Sequence, residues 1–262
     1  MICKDFSGTF SGMQAALKKE NALTALWRTA IDLLLPPRCL ATGEIVDAQG
    51  MVSPAFWSQL QFIEDPFCKT CGIPFSFGTS PDTLCAACMD REPVFDQARS
   101  AVIYNDASRK IILSFKYGDR LHAVHTFTPW MLRAGHELLN SADIVIPVPL
   151  HHRRLRERRF NQSALLAHEL ARKSEKTYIP DALLRTRHTI PQQGLNFKER
   201  GKNVRGAFAA NERYALKGKT VLLVDDVFTS GATLNECARV MKAVKAAAVN
   251  VLTIARVTKE EF

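Results

Sequence analysis

The latter part of the chain alternates short apolar runs with segments in which apolar residues recur every three or four positions. The apolar runs predict strands at residues 98–104, 143–148, 219–225 and 249–256. The segments with helical spacing predict helices at residues 108–117, 128–139, 160–171 and 233–246, the third capped by Asn161. Strands that alternate with helices favour a parallel sheet with helical crossovers, which is an α/β fold.

The earlier part of the chain has no long periodic segments. Residues 22–37 form an apolar stretch interrupted by Arg28 and Asp32, which predicts a short amphipathic helix ended by Pro36 and Pro37. No apolar run reaches the roughly 18 residues of a membrane-spanning helix. The pattern of a signal peptide is also missing, so we expect a cytoplasmic protein without a membrane span.

The net charge of +9 is unevenly distributed along the chain. Residues 1–100 contain 8 Lys/Arg and 11 Asp/Glu, whereas residues 101–262 contain 27 and 15. The positive excess of the second part attracts phosphates, which are carried by small ligands and by nucleic acids. Charge alone leaves a solvated basic surface open as the alternative.

Four of the seven cysteines form two paired motifs, Cys68-x-x-Cys71 and Cys85-x-x-Cys88. Such pairs, in a chain without export signals, favour metal binding over disulfides. Two of these turns bring four thiolates into tetrahedral geometry, so we predict one closed, structural Zn²⁺ site. The alternatives are four free buried thiols or a redox pair, and a redox pair usually needs a single such motif at a helix start.

A buried-strand pattern at residues 221–224 leads into two adjacent acids and then into a small, hydroxylated turn that opens a helix. Ligands of open α/β sheets bind at the carboxyl ends of strands, and a helix N-terminus favours phosphate. Two acids beside a phosphate are expected if they accept hydrogen bonds from ribose hydroxyls or face a bound Mg²⁺. The alternative is a polar turn in which Asp caps the helix. The candidate phosphate-binding and ribose-binding residues are Asp225, Asp226, Thr229, Ser230, Gly231, Ala232 and Thr233.

These motifs carry a family resemblance. Residues 222–234 resemble the phosphoribosyl-pyrophosphate (PRPP) motif of type I phosphoribosyltransferases. Residues 146–150, 153–162, 193–195 and 199–208 resemble segments of the competence protein F (ComF) family, and the paired cysteine motifs fit its zinc ribbon. The resemblance covers about residues 30–258.

The resemblance implies a parallel-sheet type I phosphoribosyltransferase fold preceded by a small zinc-ribbon domain. The expected division is an N-terminal helix region (1–37), a partly degenerate zinc ribbon (38–96) and a phosphoribosyltransferase-like domain (97–262). The implied ligand is PRPP, or a nucleotide that shares its ribose 5-phosphate, with Mg²⁺. The implied partners are single-stranded DNA and DNA-uptake proteins.

Five arginines are packed into residues 151–159 after a predicted strand. By position they resemble the loop that receives pyrophosphate, and the planar guanidinium matches phosphate oxygens. An exposed basic helix face and a nucleic-acid contact are the alternatives. Residues 185–205 resemble the flexible loop that closes over the active site. The candidates for pyrophosphate or lid contacts are Arg153, Arg154, Arg158, Arg159, Lys198 and Arg200.

The ComF family usually carries a further cysteine set upstream. Cys39 retains one of those positions, whereas Thr42, Ser53 and Phe56 stand at the other three in an approximate alignment supported by Trp57. We therefore predict one zinc rather than two.

The chemistry of transfer is less defined than the ligand site. Purine-type members of the wider phosphoribosyltransferase family place an acid in the phosphate loop, where this chain has Thr229. Three functions remain open: a phosphoribosyltransferase with an unknown acceptor, a nucleic-acid-handling accessory protein in DNA uptake, and a non-catalytic PRPP-binding regulator.

Overall fold

The computed structural model describes residues 36–117, 122–158, 160–190 and 194–258. The amphipathic helix predicted for residues 22–37 lies outside these ranges except for its last two positions, and Arg159 lies outside them as well. Arg38–Phe262 forms one compact unit. Within the described residues, no helix combines the length and the apolar character that crossing a membrane requires.

Five strands of the described residues form a parallel sheet in the order β1-β7-β6-β2-β3, with β6 at its centre. They are β1 (Gln97–Ile103), β2 (Ile144–Pro147), β3 (Thr177–Tyr178), β6 (Thr220–Phe228) and β7 (Ala248–Arg256). The apolar runs predicted as strands correspond to β1, β2, β6 and β7. The parallel sheet confirms the predicted fold class.

The helices of the described residues follow or connect these strands. They are α1 (Pro54–Trp57), α2 (Ala86–Asp90), α3 (Asp106–Tyr117), α4 (Ala123–Ala134), α5 (His136–Ser141), α6 (His152–Arg158), α7 (Gln162–Lys173), α8 (Phe197–Val204) and α9 (Ala232–Ala243). The single helix predicted at residues 128–139 was wrong, because the chain forms α4 and α5 with Gly135 between them. A Cβ at Gly135 would lie 2.6 Å from a methyl carbon of Leu252, so this break brings the backbone close to the sheet.

The central strand is longer than predicted. Pairing with β7 continues to Phe228 opposite Arg256, so Asp226 lies within β6 together with Asp225 rather than after the strand. Helix α9 ends at Ala243, three residues before the predicted end, and Lys245 then adopts a positive φ of 64°. These differences place the two carboxylates on rigid sheet structure.

Strands β4 (Leu183–Arg185) and β5 (Phe208–Ala210) form an antiparallel hairpin apart from the main sheet. Its connection spans most of the segment predicted as a flexible lid. That segment is not loop throughout, because it contains α8. Asn196 and Glu199 form a reciprocal capping box at the start of α8, which explains why a helix begins there.

Alternate side chains of β6 enter two separate hydrophobic clusters, as the period of a strand requires. Leu222 and Val224 lie in a cluster with residues of α4 and α7, and this cluster also contains Cys39 and Phe56. Val221 and Leu223 lie in a second cluster with residues of α9, which also contains three of the four paired cysteines, Cys68, Cys71 and Cys88. The boundary between a zinc ribbon and a sheet domain at residue 96 stays a prediction.

Candidate functional site

The two acids of the PRPP-like motif lie at the carboxyl end of the central strand. Asp225 Oδ1 accepts hydrogen bonds from Ser163 Oγ at 2.9 Å and from the backbone N–H of Asp226 at 2.9 Å. Burial, together with the adjacent charge of Asp226, raises the pKa of Asp225 to about 7. The pair therefore carries less than two full negative charges near neutral pH, which lessens its repulsion of a phosphorylated ligand.

Asp226 is paired with a lysine that comes from a distant helix. Lys116 Nζ, in the last turn of α3, lies 2.9 Å from Asp226 Oδ1, and the two side chains are 18% and 14% exposed. Because both partners are largely shielded from water, this ion pair is screened less than a surface pair. Lys116 is not among the candidates predicted from sequence.

The first residues of α7 join three elements at this site. Asn161 Nδ2 donates to Val148 O at 3.1 Å, and Gln162 Nε2 donates to Lys116 O at 3.1 Å. Ser163 holds Asp225 as described above. Asn161 also accepts from the backbone N–H of Ser163 and caps α7, as predicted. Gln162 and Ser163 were missed as site residues, although Gln162 belongs to a segment that carries the family resemblance.

The loop of residues 229–231, which we predict to bind phosphate and call the phosphate loop, connects β6 to α9. Gly231 has a φ of 74° and is the N-cap residue of α9, so the helix begins without a capping side chain. A Cβ at this position would lie 2.8 Å from Cε2 of Phe228, so the loop requires glycine for both conformation and space. Ser230 Oγ accepts from the N–H of Ala232 at 3.4 Å. The first turn of a 12-residue helix thus faces this loop, an arrangement that favours an anion.

The arginine cluster folds as a helix. Arg153 and Arg154 lie in α6, which follows the carboxyl end of β2, with Arg153 exposed and Arg154 half-buried. For Arg158, the last residue of α6, the structure describes the backbone only. The cluster therefore starts at the same edge of the sheet as Asp225, on the neighbouring strand.

Arg185 is a further basic residue of this region that sequence reasoning treated only as the start of the lid. Its guanidinium donates to Thr189 Oγ1 and lies 5.2 Å from the centre of the Phe208 ring. Burial, and next the charge of Arg154, lower the pKa of Arg185, whereas the charge of Asp225 raises it. Arg185 is therefore near enough to Arg154 and to Asp225 for their charges to act on it.

His151, which directly precedes α6, also contacts the segment that connects β4 to β5. The His151 ring lies 3.9 Å from that of His152 and 5.0 Å from that of His188, between centroids. Burial, with the neighbouring charges of His152 and His188, lowers the pKa of His151.

The two predicted lid contacts lie in α8. Lys198 is exposed, whereas Arg200 is half-buried and donates from Nε to Leu195 O at 2.8 Å. Helix α8 packs against α9, and Gly206 N donates to Glu236 Oε1 at 2.7 Å. The lid segment is thus attached to the helix that begins at the phosphate loop.

The paired cysteines converge on one point. The Sγ atoms of Cys68, Cys71, Cys85 and Cys88 all lie within 4.8 Å of one another, and those of Cys71 and Cys85 are 3.6 Å apart. Tetrahedral Zn²⁺ with Zn–S bonds of about 2.3 Å needs sulfur–sulfur edges of about 3.8 Å. The backbone N–H of Cys85 donates to Cys68 Sγ at 3.3 Å, as is usual for a metal-bound thiolate. The four residues fit a structural zinc.

The predicted remnant of a second metal site also comes together. Thr42 Oγ1 and Ser53 Oγ lie 3.3 Å apart, and Cys39 and Phe56 are buried. Burial acts to raise the pKa of Cys39, but hydrogen bonds from Thr42 and Ser53 bring it down to about 7. Within the described ranges, the four paired cysteines are the group able to hold a metal. That the chain binds one zinc stays a prediction.

The parallel sheet, the acid pair at the end of its central strand and the glycine-initiated helix are the features that the sequence predicted for a phosphoribosyltransferase-type domain. Residues 161–261 match the family model described as a phosphoribosyl transferase domain, and residues 30–90 match a double zinc ribbon domain. The predicted fold and the predicted order of its parts are confirmed.

The names of the curated relatives refer to competence and to DNA utilization. The chain is 29% identical to Competence protein F of Haemophilus influenzae over 76% of this chain and 88% of that one. It is 29% identical to the DNA utilization protein YhgH of Escherichia coli K12 over 72% and 83%, and 27% identical to Competence protein ComFC of Bacillus subtilis over 76% and 81%. The chain is a homologue of these competence protein F-type proteins, which confirms the resemblance drawn from sequence.

Solved structures give weaker matches. The chain is 23% identical to a glutamine PRPP amidotransferase from B. subtilis over 53% of this chain and 30% of that one, with a TM-score of 0.34. It is 17% identical to TT1426 from Thermus thermophilus over 56% and 86%, with a TM-score of 0.32. The fold assignment rests on the sheet topology and the family models.

Proposed function

We propose that the chain binds PRPP, or a nucleotide that shares its ribose 5-phosphate, at the carboxyl end of β6. The observation that carries this proposal is the acid pair, Asp225 and Asp226, held in place directly before a glycine-initiated helix. The acids accept hydrogen bonds from the ribose hydroxyls. The loop of residues 229–233 takes the 5′-phosphate through backbone N–H groups and hydroxyls.

The pyrophosphate has a basic region to receive it. Arg153 and Arg154 start at the neighbouring strand end, and Arg185 is coupled to Arg154 and Asp225. Arg158, Arg159, Lys198 and Arg200 remain candidates for the same role. A cluster of guanidinium groups repels itself and is stabilised when phosphate oxygens lie between its members.

Magnesium fits the donor set, because carboxylate oxygens are its preferred protein ligands. Asp225 and Asp226 would hold the ion and its waters beside the ligand, where it supplies charge neutralisation for the departing pyrophosphate. Lys116 orients Asp226 and keeps one of its oxygens engaged.

The proposed reaction is transfer of the phosphoribosyl group to an acceptor with release of pyrophosphate. Thr229 stands where purine-type relatives have an acid, so this loop offers no carboxylate to take a proton from the acceptor. The acceptor is then one that needs no base, or the base comes from another residue. We place the activity in the cytoplasm and in DNA utilisation, with support from the paired metal-type cysteines and the names of the relatives.

Binding of PRPP with Mg²⁺, measured by calorimetry, tests the ligand. Asp225→Asn and Asp226→Asn are each expected to weaken binding by about 10-fold to 100-fold, because a hydrogen bond to a charged group contributes about 1.5–3 kcal/mol. Asp143→Asn is the matched control, since Asp143 accepts from Thr220 N at the opposite end of the same strand and should leave affinity unchanged. No binding by the unmodified protein would refute the proposal.

A second function is favoured by the basic charge of residues 101–262 and by the competence-related names of the homologues. In this case the protein handles single-stranded DNA, and its affinity falls steeply with salt. DNA binding that survives both Asp changes supports this second function. Free bases can be screened as acceptors in the presence of PRPP. Release of pyrophosphate would favour an enzyme over a PRPP-binding regulator.

A further inference from the structure

Arg256 connects the cysteine cluster to the end of the central strand. It is the last residue of β7 and lies opposite Phe228 of β6 in the sheet register. Its guanidinium is buried, with 8% of the residue exposed. Nη2 lies 3.4 Å from Cys71 Sγ, and Cζ lies 3.8 Å from the centre of the Phe228 ring. One side chain thus contacts a metal ligand and the residue that precedes the phosphate loop.

The burial of this cation needs a compensating anion. Among the described residues, Nε and Nη1 of Arg256 have no hydrogen-bond partner. A buried charge without compensation is strongly unfavourable. Four thiolates around one Zn²⁺ carry a formal charge of −2, and Cys71 is in contact with Arg256. The cysteine cluster with its metal would therefore provide the negative charge that compensates the buried guanidinium of Arg256.

Phe228 lies between Arg256 and the phosphate loop. Its ring packs edge-to-face against Phe95, with centroids 5.7 Å apart. Its Cε2 lies 2.8 Å from the position that a Cβ of Gly231 would take. The ring is therefore held between Phe95, the guanidinium of Arg256 and the loop backbone, and it leaves no room for a side chain at Gly231.

A second connection starts where the chain leaves the cysteine motifs. The backbone N–H of Val94 donates to Asn235 Oδ1 at 2.7 Å. Asn235 Nδ2 in turn donates to Gly231 O at 3.1 Å. The carbonyl of Gly231 is thus fixed by a side chain that is itself fixed by residues next to the ribbon.

From these contacts we propose that Arg256 and Asn235 are positioning residues through which the zinc ribbon supports the phosphate loop. The loop then holds its anion-binding shape only while the ribbon is folded around its metal. This inference rests on the proposed phosphate-binding role of the loop. Its structural part, the dependence of the loop on the ribbon, is measurable without any ligand.

The central variant is Arg256→Met, which keeps the volume and removes the charge and the planar group. We expect zinc affinity, measured by chelator competition, to fall by about 10-fold to 100-fold, as is typical for a lost partner of a metal ligand. With zinc saturating, we expect amide exchange across residues 229–235 to accelerate and PRPP affinity to fall by at least about fivefold, which corresponds to about 1 kcal/mol.

Arg99→Met is the matched control. Arg99 is also a buried arginine at the ribbon, where it donates to Lys69 O at 3.0 Å and stacks on Phe67 at 4.4 Å. Its hydrogen bonds and ring contact are made to Lys69, Ala98 and Phe67, so its loss should leave exchange at residues 229–235 unchanged when zinc is saturating. Equal effects of the two variants on the loop would overturn the inference.

Two further variants test the Arg256 connection and the Asn235 connection separately. They also keep the inference testable if Arg256→Met fails to fold. Arg256→Lys keeps the charge and loses the stacking group, so zinc affinity should recover while loop exchange stays fast. Asn235→Ala should accelerate exchange at the loop with zinc affinity unchanged. Normal loop exchange in both would refute the inference. If the unmodified protein fails to bind PRPP while these exchange results hold, the proposed function is wrong and the support role stands.

Discussion

Asp225 shows how its local environment sets the charge of a single site residue. Its carboxylate is buried, lies next to a second acid and is hydrogen-bonded to Ser163, 62 residues earlier in the chain. The sequence was sufficient to predict Asp225, Asp226 and the glycine loop as candidate site residues, because these residues are contiguous and their chemistry is local. Ser163, Lys116 and Arg185 could not be found in this way, because only the packing of distant elements brings them to the acids.

The raised pKa of Asp225 predicts a pH-dependent stability. In the folded protein the pKa is about 7, against an ordinary value of 3.8, so between these values the folded state holds a proton that the unfolded chain has lost. Stability is therefore expected to fall as pH rises from about 4 to about 7. Asp225→Asn lacks this loss, and urea unfolding should show the variant gaining stability relative to the unmodified protein across that window and no further above it.

Ser163→Ala provides the comparison for this pH series. The Ser163 hydrogen bond stabilises the ionised form of Asp225, so removing it should raise the pKa further and extend the decline to higher pH. Parallel pH profiles for the unmodified protein and Asp225→Asn would contradict the prediction.

At the scale of elements, the site depends on where β6 ends and α9 begins. Sequence periodicity located both, but it ended β6 three residues early, because the two acids interrupt the apolar run and only the pairing of Val227 and Phe228 with β7 shows that the strand continues. It also joined α4 and α5, since an apolar period continues past Gly135. The lid helix α8 was missed because its polar sequence lacks an apolar stripe, although its capping box was present.

The turn between β6 and α9 predicts a specific effect of Gly231→Ala. A side chain in the left-handed region costs about 1–2 kcal/mol, and here the new methyl would also collide with Phe228. We expect a loss of stability greater than that conformational cost, together with loss of PRPP binding. Thermal unfolding and calorimetry measure the two effects.

Gly218→Ala is the control for Gly231→Ala. Gly218 has the same φ of 74° and nothing within 4 Å of its ideal Cβ. It should show the conformational cost alone and normal PRPP binding. Equal stability losses at the two glycines would mean that the contact with Phe228 is not tight.

The whole molecule combines an α/β sheet with a cysteine-bearing region that packs into the same hydrophobic clusters. The family resemblance predicted both parts and their order. It could not predict that residues of both parts pack together in each cluster, because contacts such as that between Arg256 and Cys71 span as many as 185 residues. Long-range contacts of this kind depend on the topology of the fold, so no local sequence motif indicates them.

The metal content of the molecule follows from the cysteine geometry. We expect one zinc per chain, measured by elemental analysis, and none in Cys85→Ser, because three thiolates no longer close the site. Cys39→Ser is the control and should retain one zinc, since Thr42, Ser53 and Phe56 offer no thiolates or imidazoles beside Cys39. Two equivalents of zinc in the unmodified protein would show that the upstream residues still bind metal.

The two halves of the cysteine-bearing region belong to different hydrophobic clusters, on opposite sides of β6. Cys39 and Phe56 pack with α4 and α7, whereas Cys68, Cys71 and Cys88 pack with α9 and lie next to the phosphate loop. Over evolution, a lineage can exchange metal coordination for aromatic packing in the first half without disturbing the second. The same substitutions in the second half would remove the thiolate beside Arg256, so we expect the two halves to be under different selective constraints.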